Sequence, residues 1–164
     1  MSNRIGVIIS AGVTENILDD IRCKYGFQLV PVENPTLSKS LKKNERFYDL
    51  YATITNTGIG RYEQYLSLYT DMEECIKVWG FDTYYRTITE TNENYLVDAD
   101  RWANVIKDLR YNYKIRSVGI INFYANKMTC DMEFPAFPRR KISTAGINAV
   151  TMMKLDTETI YIFI

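Results

Sequence analysis

Asp98 and Asp100, one residue apart, are the pair in this sequence best suited to hold a divalent cation. They follow Tyr95, Leu96 and Val97, three residues that favour extended backbone. Two carboxylates at the end of such a strand could share a Mg²⁺ or Mn²⁺ that a phosphate oxygen also contacts. Glu90 and Glu93 stand close enough in sequence to add ligands. The competing reading is structural: Asp98 can cap a helix by accepting a bond from a free N–H of its first turn, where the helix dipole also favours anions. Capping is the expectation here, and a metal site is the alternative.

A second group is cationic. Lys107, Arg110 and Lys114 recur at i, i+3 and i+7, which would place three cations in one stripe of a helix, with Tyr111 beside them. Arg139, Arg140 and Lys141 follow the segment 134–138, where two prolines space two phenylalanines. Basic groups interleaved with aromatics suit phosphates and stacked bases, and they suit an acidic protein surface equally well. The charge is segregated along the chain. Residues 61–100 carry three basic and nine acidic groups, and residues 101–141 carry nine basic and three acidic ones. Over the whole chain 20 Lys and Arg balance 20 Asp and Glu, which argues against a strongly basic nucleic-acid binder. The plain account of the segregation is that the two halves face each other or average out over the surface.

Around the aspartates the sequence resembles, over six residues, the metal-binding Asp-x-Asp of nucleotidyl- and glycosyl-transferring enzymes. The likeness implies phosphoryl or nucleotidyl transfer through Asp98 and Asp100 with Mg or Mn, but no second motif accompanies it. Histidine is absent, which removes the commonest general base and every Ser-His or Cys-His relay. Cys23, Cys75 and Cys130 are odd in number and far apart, so a disulfide scaffold or zinc knuckle is not expected. The first two fall in expected helices and read as buried, inert thiols. The loop Ser10-Ala11-Gly12-Val13-Thr14 joins a strand to a helix, a place where phosphate can bind. With one glycine and no following Lys-Ser/Thr, ordinary capping explains it better. Thirteen tyrosines exceed what the core stripes need, and tyrosine is favoured at interfaces.

These groups must be positioned by a core, and 164 residues suffice for one domain. Residues 4–10 read as a strand buried on both faces. Thr14 caps a helix over 15–25 with Ile17, Leu18, Ile21 and Tyr25 inward, and Gly26 stops it. A strand at 27–33 contains Pro31, as an edge strand can. Residues 34–45 are polar and read as an exposed loop. Residues 48–56 alternate as a strand, 56–60 turn, 61–79 make the longest helix and 82–90 another strand. The stretch 94–126 then gives a short strand at 95–97, a helix from Asp98 with Trp102, Val105, Ile106, Leu109 and Tyr113 inward, and a strand over 115–124. A further strand is expected over 128–134, and 135–141 is expected to be an exposed loop. Residues 149–155 and 159–164 read as a closing hairpin, whose apolar last strand must be buried in the sheet or against a second copy of the chain.

The fold expected is α+β: one domain with about three helices on one face of a mixed, mostly antiparallel sheet. No segment approaches membrane-spanning length, and a cytoplasmic protein is expected. By elimination, the function expected is binding of a partner protein, as an inhibitor of the immunity or phage-antagonist type. This elimination is joined by a residue usage rich in Asn, Ile, Lys and Tyr. The partner-binding residues expected are Lys107, Arg110, Tyr111, Lys114, Arg139, Arg140 and Lys141, with no cofactor. The alternatives are the Asp98/Asp100 transfer enzyme and a nucleic-acid binder acting through residues 101–141.

Overall fold

Ile5, Val7, Ile8 and Ile9 are all buried, which a strand achieves only when both faces of its sheet are covered. They belong to β1 (Ser2–Ser10), the strand on which the sheet is built. The computed structural model describes residues 2–52, 93–125, 127–153, 155–156 and 158–164. The turn expected at 56–60, the helix at 61–79, the strand at 82–90, and with them Cys75 and Glu90, lie outside the described residues.

After β1 come α1 (Glu15–Tyr25), β2 (Phe27–Val32), a 3₁₀ turn (Pro35–Lys39) and β3 (Glu45–Ala52). Then follow α2 (Glu93–Lys107), a π turn (Asp108–Asn112), β4 (Val118–Ala125), β5 (Arg139–Ile142), α3 (Ala149–Met153) and β6 (Ile160–Phe163). The strands form one mixed sheet in the order β2-β3-β1-β4-β6-β5. All pairings are antiparallel except β5 with β6. The architecture is the α+β one expected. No helix among the described residues is long and apolar enough to cross a membrane.

Alternate residues divide between two cores. Ile5, Val7 and Ile9 of β1, with Val118, Ile120, Tyr161 and Phe163, join the helical side chains in one cluster. Ile21 enters from α1, Trp102, Val105 and Ile106 from α2, and Met152 from α3. Ile8, Phe47, Ile121, Phe123 and Ile162 form the second cluster, which no helix of the described residues enters. Its cover is two irregular segments that bring Leu37, Leu41, Met132, Phe134 and Phe137. Phe134 lies edge-on to Phe123 at 5.3 Å, with Phe137 edge-on to it at 6.0 Å.

Residues 34–45 are therefore no free loop. The Asn34 amide donates to the carbonyls of Thr129 (2.9 Å) and Met132 (2.7 Å), and its oxygen accepts from Thr36. Phe134 N–H donates to Thr36 Oγ1 and Phe137 N–H to Ser40 Oγ. Residues that look like solvated loop polarity thus satisfy the backbone of the facing segment, which buried irregular chain requires. Residues 135–141 are corrected in part, since their end is not loop but the start of β5. The expected strand over 128–134 is instead a 3₁₀ turn at Thr129–Asp131 with extended chain after it. The expected hairpin is overturned as well: 149–153 is helical, and β6 pairs with β4 and β5. Cys23 and Cys130 are exposed, so Cys23 is not the buried thiol expected.

α1 runs as the sequence implies. Thr14 Oγ1 accepts from Ile17 N–H at 3.4 Å, and Gly26 closes the helix at φ 72°, where a side chain would be strained. α2 does not. It begins at Glu93, so Tyr95, Leu96 and Val97 are helical and Asp98 is no N-cap.

Candidate functional site

Asp98 and Asp100 lie inside α2, two positions apart, and so about 200° apart around the helix axis. The pair therefore stands within a helix and not at the end of a strand, where the Asp-x-Asp likeness would place it. Asp100 is exposed, and Asn104 Nδ2 lies 3.4 Å from it. Among the described residues no group of three or more His, Cys, Asp or Glu could hold a metal ion.

The cationic stripe is also redrawn. The α-helix ends at Lys107 and the chain widens into the π turn, with Tyr113 N–H bonded to Asp108 O at 3.1 Å. Lys114 then leaves at φ 58°, so Lys107, Arg110 and Lys114 share no continuous helical face. Arg110 turns back on the chain. Its guanidinium donates to the carbonyls of Ile115 (2.7 Å) and Arg116, and its Nε lies 3.4 Å from Thr144 Oγ1. It closes the end of the π turn rather than facing a partner. Lys107 is half-buried.

Asp108 explains why the helix widens here. This carboxylate is buried, and it accepts from Lys24 Nζ at 2.8 Å, Tyr25 OH at 2.6 Å and the Asn112 amide. Burial alone would push its pKa up. The bonds from Lys24, Tyr25 and Asn112 outweigh burial and hold it below the usual carboxylate range. Burial and the neighbouring Asp108 charge push the Tyr25 phenol far up, so it remains a donor at neutral pH. Three donors occupy the carboxylate, which makes it a brace between α1 and the end of α2 rather than a general base. Because the folded pKa lies below the unfolded one, the brace stabilises above the unfolded value and is lost as pH falls through the folded one. The melting temperature should therefore fall on acidification below about pH 4. Asp108→Asn should cost about 1–3 kcal/mol at neutral pH and flatten that acid-side fall. Parallel acid limbs for parent and variant in pH-dependent melts would refute the assignment.

Arg139 is likewise internal. Its guanidinium forks onto Glu45 at 2.8 and 2.9 Å and donates to Ser40 O at 2.7 Å. This bond joins β5 to β3 across the second face of the sheet, with three strands between them. Arg140 is exposed and pairs with Asp156 at 3.3 Å, in solvent where such pairs contribute little. Lys141 is exposed, as are Lys114 and Arg116, and Tyr111 is 47% exposed.

The exposed groups gather at one end of the sheet. Arg116 stands just before β4, whose Val118 pairs with Phe163, and Phe163 pairs on its other side with Ile142, next to Lys141. Arg110 and Thr144 tie the two segments together. Arg116 is not in the expected set, and strand register is what places it at the same end of the sheet as Lys141. The same holds for Lys43 and Arg46 at the start of β3, since Glu45 pairs with Ser10 and Ser10 bonds Ser117. A scan against protein-family models, a search of curated proteins and a search of solved structures each find no match to this chain.

Proposed function

We propose that the protein binds an acidic partner protein at this end of the sheet, without chemistry of its own, and acts as an inhibitor or antagonist of that partner. The observation that carries the proposal is an exposed tyrosine, Tyr111, beside exposed cations that no acidic group among the described residues pairs with. Among the described residues Lys114, Arg116 and Lys141 form no ion pair. Tyrosine presents large area and a hydroxyl at low entropy cost, and unpaired cations at a rim speed encounter with an acidic surface. An immunity-type or phage-encoded antagonist would use such a surface.

The test is a triple reversal, K114E/R116E/K141E, compared with R110E. The triple variant should fold like the parent, since surface changes usually stay within about 0.5 kcal/mol each. R110E should lose about 1.5–3 kcal/mol, because it leaves the carbonyls of Ile115 and Arg116 without their donor. With the partner captured from the native host by the tagged parent, the triple variant should associate more slowly at low salt. The parent should not bind mixed DNA or RNA oligonucleotides at physiological salt. Micromolar oligonucleotide binding with steep salt dependence, lost in the triple variant, would replace this proposal with nucleic-acid binding.

A further inference from the structure

Among the described residues β2 and β5 are the two edges of the sheet, and they differ in what they offer. β2 contains Pro31, which has no N–H to give a neighbour. β5 contains no proline, and its register with β6 shows which of its groups point outward. The two strands run parallel, with Arg140 beside Tyr161 and Ile142 beside Phe163. Pro138 O accepts from Ile160 N–H at 2.9 Å, and Ile142 O accepts from Ile164 N–H at 3.0 Å. Backbone groups alternate sides along a strand, so those of Arg140 also face β6, while the N–H and carbonyl groups of Arg139 and Lys141 face away from it. Among the described residues nothing bonds them on that side.

The side chains agree that this edge is uncovered. Successive residues of a strand point to opposite faces, and Arg140 and Lys141 are both exposed. Arg139 is turned inward to Glu45, and Ile142 packs against the first core, so the strand is held while its outer edge stays open. An open edge is a template for another strand, and short length and charge are what keep such edges from pairing with their own kind. β5 has four residues, and three of them are cationic. A second copy of this chain laid edge to edge would set Arg and Lys against Arg and Lys, which is unfavourable. A strand bearing acidic side chains meets the reverse condition.

We propose that the acidic partner adds an extended segment to β5 as a further strand of the sheet. This strand addition rests on the acidic-partner reading above and names the contact that holds the partner. The outward groups of Arg139 and Lys141 bond the backbone of the segment, and the exposed Lys141 side chain meets an Asp or Glu on the same face. Arg140 is paired with Asp156 at 3.3 Å in solvent, a bond weak enough to exchange for an acid of the segment on the other face. Main-chain bonds supply affinity whatever the sequence, and the cations select for acid. A nucleic acid has no such ladder to offer.

Titrating isotope-labelled protein with the blocked peptide acetyl-Thr-Glu-Val-Glu-Val-Thr-amide tests it by NMR. The peptide should give saturable amide shifts at Arg139, Lys141 and Ser143 with a dissociation constant below about 1 mM. It should also slow hydrogen exchange at the Lys141 N–H. The same peptide N-methylated at every residue keeps its charge but has no ladder donors, and it should bind about tenfold more weakly or not at all. A peptide with Gln for both Glu should also bind about tenfold more weakly. Lys141→Pro removes one outward N–H and leaves the bonds to β6, so the variant should melt cooperatively and lose the peptide by about tenfold. The N-methyl comparison needs no change to the protein and decides the matter where a variant does not fold. Equal binding of the N-methylated or the Gln peptide, shifts centred on Tyr111 and Lys114, or no saturable shifts would overturn the strand addition. Slower association of K114E/R116E/K141E with the captured partner would then leave the acidic-partner reading standing without it.

Discussion

A chain cut after Glu158 should be insoluble, or soluble without a cooperative melt. Every residue of β6 is buried, and the strand is interior, bonded to β4 on one side and β5 on the other. Removing it strips Ile160 and Ile162 from the second core and Tyr161 and Phe163 from the first. It also leaves the ladder groups of Val118–Ile120 without partners and detaches β5, whose one strand neighbour among the described residues is β6. Deletion of four buried apolar side chains at about 1.5–3 kcal/mol each is comparable with the whole stability of a domain this size. A soluble truncation with a sharp, two-state urea transition would show that the strand is an appendage.

Trp102→Ala should be the most damaging single truncation, at about 3–5 kcal/mol. The side chain is 1% exposed and stacks on Phe27 at 4.7 Å, with the Arg101 guanidinium 5.6 Å from that phenylalanine ring. It is the contact by which α2 reaches β2 at the edge of the sheet. The void would be lined by Phe27 and its neighbours in an interior with no slack. Trp102→Phe keeps an aromatic face for Phe27 and should recover part of the loss. Urea titrations read both values, and a loss under about 1 kcal/mol for Trp102→Ala would mean α2 docks elsewhere.

The parts legible in the sequence are those set by local chemistry. Thr14 and Gly26 bound α1 because a cap and a left-handed stop are short-range events. The buried face of α2 follows from the spacing of Trp102, Val105, Ile106 and Leu109, and the double burial of β1 from its unbroken Ile and Val. The parts missed depend on distant partners. Tyr95, Leu96 and Val97 have β-forming side chains, yet they lie in a helix because that propensity is weak against tertiary context. The π turn is held by Asp108 meeting Lys24 and Tyr25, residues 83 and 84 positions away in the chain. Arg110 and Arg139 look free in sequence and are consumed by carbonyls and Glu45 in space. The alternation that marks Tyr48 as one face of a strand was visible, but β3 begins earlier, at Glu45. Arg46, which falls between the expected loop at 34–45 and the expected strand from 48, therefore lies in β3 two positions from Tyr48.

The strand order also fixes when the molecule can become itself. β1 meets β3 early, but its other edge waits for β4, whose Val118 pairs with Ile9 more than a hundred residues away. Among the described residues β5 then has no strand neighbour until β6 slides between it and β4. Closing such long loops costs entropy before any pairing rewards it, so refolding should be slow for the size, with β4 and β6 last to gain protection from hydrogen exchange. During synthesis the growing chain would carry an open β4 edge, apolar on both sides, until β6 is made. Its abundance in a cell would then depend as much on shelter for that edge as on the stability of the finished fold.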